Sequence, residues 1–325
     1  MKCLKITIRP MFLLGASIFL AVTTAPAQTQ IASGVAVQRS SGKSTPLPER
    51  GTNSSALEFL TIDYPGSLST QVLGINSLGT VVGAFADDSG THGFVLREGR
   101  WTVLDVPGAA LTNARSINNR EEIVGYYYDG DFNLHGFQWF RGKFNTIDIP
   151  FSIETRSEGI NDAGVISGEY VDINNNEHGY LLSNGHFTSF DVPNSFSSDI
   201  WMISNSDEFT GDYDNGVTVL GFLQTRQDGL LTLNFPGSAD TAPRSVNDRG
   251  EVVGRWDDFS APVQLACTSQ CHGFLWFKGK FRSIEFPGAI STVAMAINDQ
   301  GWIAGRYIDV STNQHGFIAR PKNVK

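Results

Sequence analysis

The sequence predicts an all-β fold, a six-bladed β-propeller of four-stranded antiparallel blades, and three observations carry that prediction. One unit of about 43 residues is written six times between residues 59 and 320. Each copy divides into four short period-two runs separated by tight-turn residues. No stretch of that body shows a sustained helical period or helix caps. The composition agrees with a large packed core: 41% of the 325 residues are hydrophobic, 18% are charged and 22 are Phe, which excludes a disordered chain.

The chain opens on an address segment. Lys2, Lys5 and Arg9 precede an apolar run from Met11 to Val22, 12 residues long, too short to cross a bilayer as a helix. Ala25-Pro26-Ala27 then supplies a small-x-small cleavage pattern, so residues 1–27 read as a signal peptide and the mature chain is expected to start at Gln28. Export to the periplasm or the exterior follows. Residues 28–58, rich in Ser, Thr, Gln, Gly and Pro without a period, read as a flexible leader. Removing the first 27 residues takes away three positive charges and moves the net charge from −9 to −12. Such an acidic surface disfavours nucleic acid and anionic lipid as partners. No later stretch is apolar enough to insert in a membrane, and a monomer is expected.

Four markers stay in phase through the repeats. The first is Ile-Asp-x-Pro and its variants, with prolines at 65, 107, 150, 193, 236 and 287. Next comes an Asn at Asn76, Asn118, Asn161, Asn205, Asn247 and Asn298, then a Gly at 83, 125, 168, 211, 254 and 305. The last is His-Gly-aromatic, carried by His92, His135, His178, His272 and His315, with Leu220 in the His place of copy four. Two residues before the third marker stands Val, Ile or Phe, and two after it Phe, Tyr or Trp. Period two puts these on one face, around a Gly that lets a backbone or ring approach closely. The other face varies: Ala84, Tyr126, Glu169, Asp212, Arg255 and Arg306. The longer Pro-containing connection precedes the Asn strand, which is therefore expected innermost. The first strand, Phe59 to Tyr64, is expected to complete the last blade and close the ring. An open solenoid is the competing architecture, but it requires capping ends that the sequence lacks. Residues 321–325 read as a tail.

These phased motifs resemble the bacterial extracellular repeat family called HAF, after its His-Ala-Phe tripeptide, although this chain carries Gly in the middle position. The resemblance covers residues 59–320. It implies export and a repeat architecture, and it lends no catalytic or ligand-binding residues.

A residue present in nearly every copy serves the copy. The five His are expected to tie a strand to a neighbouring loop or to the recurrent Asp rather than to converge on a metal, and Leu220 fits that role. Asp172–Glu177 and Asp212–Gly216 superficially suggest calcium loops, yet neither matches the 12-residue pattern with Gly at six and Glu at twelve. No cofactor is expected, with calcium the minor alternative. Differences between copies are the better guide to a ligand. Copy five carries about eight extra residues between Gly254 and His272, holding Cys267 and Cys271, which read as a local disulfide in an oxidising compartment. Copy four brings Trp201, a candidate for stacking on a sugar or a partner, with a core position as the alternative. No nucleophile elbow, zincin motif, phosphate loop or dinucleotide fingerprint occurs. The expectation is thus an exported, non-catalytic propeller scaffold that binds a protein or glycan. The alternative is a secreted carbohydrate-active hydrolase or lyase acting at the axial mouth.

Overall fold

The computed structural model describes residues 56–258 and 271–322. The expected signal peptide, residues 28–55 of the leader, Cys267 and the last three residues lie outside the described residues. Among those described, all twenty-four elements are β-strands.

The first of them, β1 (Leu57–Ile62), starts two residues earlier than expected. The first blade is β2 (Ser69–Ile75), β3 (Val81–Asp87), β4 (Gly90–Arg97) and β5 (Arg100–Leu104). The second is β6 (Leu111–Ile117), β7 (Ile123–Tyr128), β8 (Leu134–Phe140) and β9 (Lys143–Ile147). The third is β10 (Ser152–Ile160), β11 (Ile166–Asp172), β12 (Glu177–Ser183) and β13 (His186–Phe190). The fourth is β14 (Ser197–Ile203), β15 (Phe209–Asp214), β16 (Val219–Thr225) and β17 (Gly229–Leu233). The fifth is β18 (Ser238–Val246), β19 (Val252–Asp258), β20 (Cys271–Phe277) and β21 (Lys280–Ile284). The sixth takes β22 (Ser291–Ile297), β23 (Ile303–Ile308) and β24 (Gln314–Pro321) from the end of the chain and β1 from its start. Pairing inside each blade is antiparallel, and one parallel bridge, Thr91 to Leu111, links the first two blades.

The Asn strands β2, β6, β10, β14, β18 and β22 touch one another in ring order, including β22 with β2, so they are innermost and the ring is closed. The molecule is a six-bladed propeller. Closure is sealed by Leu57 to Ile62 running antiparallel to Pro321 to Gly316, by Phe59 packed on Phe286 and Phe317, and by Asp63 against His315.

Two glycines explain why the repeat packs. A Cβ at Gly125 would collide with the Asn113 carbonyl and with the Phe137 ring of its own blade. A Cβ at Gly136 would meet Ser157 of the next blade's inner strand, so this Gly lets blades approach face to face. The aromatic of each His-Gly-aromatic marker fills the blade core: Phe94, Phe137, Tyr180, Phe222, Phe274 and Phe317 are all fully buried.

An inner strand runs from its Pro-containing loop to its Asn. One end of the axis, the upper mouth, therefore gathers the entry loops and the hairpins between second and third strands. The Asn turns gather at the lower mouth.

Candidate functional site

In every inner strand the register slips by one residue midway, so two residues oppose one. The extra residue is Leu73, Arg115, Glu158, Trp201, Arg244 and Met295 in turn. Bulges re-aim a side chain, and all six of these line one axial cavity. Its volume of about 20 Å³ admits a single water, so the bulge residues plug the axis rather than forming a pore.

The plug is lopsided. Leu73 and Met295 pack with Ala84, Val293 and Cys271 into an apolar sector. Opposite them, Arg115 and Glu158 form a buried ion pair. Trp201 donates its Nε1–H to Asp212 Oδ2 at 3.1 Å, and the Arg244 guanidinium lies 3.6 Å from the centroid of its ring. The expected ligand-stacking Trp is therefore half-buried in the plug, with a cation on its ring.

Toward the upper mouth the charges multiply. Glu169 and Asp212 are buried although they occupy the varying position of the second strand, because each has a cation within reach. Arg156 pairs with Glu169, and Arg244 lies 3.6 Å from Asp212. In the same position of the fifth blade, Arg255 bridges Asp240 at 3.1 Å and Asp257 at 2.6 Å. Arg306 of the sixth blade bonds Gln314 at 2.7 Å. Burial, together with repulsion from Arg255, Arg244 and Arg115, lowers Arg306 to about 10.

Between the third and fourth blades Glu169, Glu177 and Asp199 bring carboxylate oxygens within 4.8 Å of one another. Burial first, then the charges of Glu169 and Glu177, push Asp199 well above the usual carboxylate range. Burial and Glu169 raise Glu177 to about 7. Asp212 rises to about 6 through burial, with Arg244 opposing. Such a group can hold a cation or lend a proton near neutral pH. As a metal site it is short of ligands, since hard cations want six or more oxygens and Arg156 already occupies Glu169.

The sequence markers lie elsewhere. His92, His135, His178 and His315 place Nδ1 2.7–2.8 Å from Asp105, Asp148, Asp191 and Asp63, and His272 meets Glu285 at 2.8 Å. Each ring also packs on an aromatic of the neighbouring strand: Phe85, Tyr127, Tyr170, Trp256 or Tyr307. They stand one to a blade and do not converge. Asp172, weighed above for calcium, spends its carboxylate on Asn174 and Asn176 of its own turn, while Glu177 turns toward Asp199. Cys271 is disulfide-bonded; Cys267 lies outside the described residues.

The Asn residues build the lower mouth. Nδ2 of Asn76, Asn118, Asn161, Asn247 and Asn298 donates to the equivalent carbonyl of the next blade at 3.0–3.1 Å. The fourth blade corrects the expected register, because Ser204, not Asn205, takes this place: it accepts from Asn161 and opens the tight turn to Glu208. Asn205 sits one position on, with Ser77, Asn119, Asp162, Asp248 and Asp299. There it accepts the Asp162 N–H at 2.7 Å and passes its own N–H to Asp248 at 2.6 Å.

A further tie was not anticipated. The hydroxyl of Thr70, Thr112, Thr155, Ser198, Thr241 or Thr292 accepts the N–H of the residue before each marker Pro at 2.9–3.1 Å. A Ser or Thr six residues beyond each N–H donor was its visible signal.

No family model and no curated protein matches the chain. Solved structures do. AofleA from Arthrobotrys oligospora is similar with a TM-score of 0.50 at 14% identity, over 83% of this chain and 88% of that one. TolB from Acinetobacter baumannii gives 0.52 at 9% identity, over 75% of this chain and 64% of that one. The Aleuria aurantia lectin, described as a fungal lectin with a six-bladed β-propeller fold, gives 0.47 at 12% identity, over 80% and 93%. At these identities the likeness concerns the fold alone.

Proposed function

We propose that this chain is an exported, non-catalytic binding scaffold that takes a protein or glycan ligand at its upper mouth, and that it is a relative of the HAF repeat proteins. One observation carries the reading. Above the plug the frame repeats while the charged residues facing the upper mouth differ from blade to blade: Arg156, Glu169 and Glu177 on the third, Asp199 and Asp212 on the fourth, Asp240 and Arg255 on the fifth and Arg306 on the sixth. A purely structural repeat has no use for that asymmetry, whereas a site for an asymmetric ligand does.

The raised carboxyls of Glu177 and Asp199 favour a second reading, a carbohydrate-active hydrolase or lyase in which one of them supplies a proton. A glycan array, a displayed peptide library and a polysaccharide hydrolysis screen on the purified chain lacking residues 1–27 separate the two. The binding reading expects capture without turnover. Turnover of any polysaccharide that is abolished by Asp199→Asn would replace it with the enzyme.

A further inference from the structure

Exposed apolar side chains ring the upper mouth, Leu68, Phe132, Ile290 and Val310 among them, and they are most numerous on the third and fourth blades. Phe151, Ile173, Phe196 and Val217 there are 67 to 92% exposed, and Ile153 is half-exposed. Phe151 belongs to the loop entering β10, Ile153 to the start of that strand, and Phe196 to the loop entering β14, whereas Ile173 and Val217 lie in the hairpins after β11 and β15. All four segments emerge at the same end of the axis.

Within this apolar rim two carboxylates lack a cation. Arg156 serves Glu169, and Trp201 and Arg244 serve Asp212. Asp199 Oδ1 is closed off from solvent yet has no hydrogen-bond partner, and Glu177 has no ion pair among the described residues. A buried acceptor left unsatisfied in the free protein is one that a bound donor satisfies. The rim then limits the class of donor. Phe, Ile and Val supply apolar contact area without the polar-edged Trp or Tyr face on which sugars stack, and an apolar surface around a pair of acidic groups suits a polypeptide.

Resting on the binding reading above, we propose that this part of the upper mouth receives a basic side chain, Lys or Arg, of a partner polypeptide whose flanking apolar residues lie on Ile153, Ile173 and Phe196. The ammonium or guanidinium sits between Glu177 and Asp199 and completes the hydrogen bonding of Asp199 Oδ1. Charge complementarity selects the partner, and the apolar rim adds contact area.

The test is a random dodecapeptide library displayed on phage and panned against the chain lacking residues 1–27. Binding of fluorescently labelled winners is then measured by anisotropy, and a glycan array is run beside it. The expected winners share a Lys or Arg flanked by apolar residues. Glu177→Gln and Asp199→Asn together weaken them at least tenfold, Phe196→Ser weakens them several-fold, and Asp248→Asn at the lower mouth leaves them unchanged. Unaltered circular dichroism of each variant separates lost binding from lost fold. Winners without a basic residue, or winners indifferent to the double substitution, overturn the proposal. Glycan capture without any peptide enrichment overturns it too while sparing the binding reading. Silence of both screens sinks both.

Discussion

Replacing Glu158 by Gln tests whether the axis is closed. Glu158 and Arg115 are side chains 2% and 10% exposed, and they face each other inside the plug. Burial raises the Glu158 carboxyl, Arg115 opposes that rise, and the Arg115 guanidinium stays ionised against its own desolvation because of Glu158. Glu158→Gln keeps the shape and removes the counter-charge. Stranding one member of a buried ion pair costs about 3–5 kcal/mol. At about 2–4 °C per kcal/mol for a domain of this size, the melting temperature should fall by roughly 6–20 °C. Arg226→Gln, which breaks the exposed pair with Asp207, should stay within about 1 kcal/mol. Thermal and urea unfolding of both variants provide the comparison. Adding Arg115→Met to Glu158→Gln should restore most of the loss, since an apolar replacement leaves no charge stranded. A fall below about 2 °C for Glu158→Gln would mean that water reaches the pair and that the bulge residues do not plug the axis.

Three further outcomes follow from the same contacts. Partial burial lowers His135, but hydrogen bonding and charge from Asp148 and then Asp129 outweigh it and raise the folded value above 6.5; the same holds for His315 with Asp63 and Asp309. The stability this contributes is full below pH 6.5 and is lost as pH rises through the raised value, so His135→Leu should cost more at pH 5.5 than at pH 8.5 by thermal melts. A carboxyl raised in the fold behaves likewise, so Glu177, held at about 7, stabilises most below pH 4.5 and loses that contribution as pH climbs through 7. Glu177→Gln should therefore match the wild type at pH 4 and exceed it at pH 8 by roughly 1–2 kcal/mol once screening is allowed for. Gly125→Ala should destabilise by about 3 kcal/mol or more, because the new methyl meets the Asn113 carbonyl. Gly130→Ala, with open space around it, should stay within about 0.5 kcal/mol, and equal urea midpoints for the two would refute the close approach.

Much of the frame was legible because repetition marks it. A residue that returns every 43 positions, such as Gly125 or His135, has the same neighbours in each blade, so one copy explains the others. The closing strand was legible too, since the repeats start on the Ile-Asp-x-Pro strand of Phe59 to Tyr64 and end on the His-Gly-Phe strand, two strands that tight hairpins pair in the other copies. The register of the fourth Asn turn was misread because the eye follows Asn205 while the 43-residue step from Asn161 leads to Ser204. The site itself was hidden for a different reason. The varying face that includes Glu169, Asp212 and Arg255 was visible, but which charge meets which depends on the bulges, and a bulge leaves no residue signature at Leu73, Glu158 or Trp201. Glu177 and Asp199 lie on different blades, and only the third dimension brings them together.

The most direct test of where the ligand sits is hydrogen–deuterium exchange of the chain lacking residues 1–27, with and without the tightest binder from either screen. Binding at the upper mouth predicts added protection over residues 151–156, 173–177 and 196–201, with residues 76–80 and 118–122 of the lower mouth unchanged. Protection confined to the lower mouth, or spread evenly over all six blades, would contradict it.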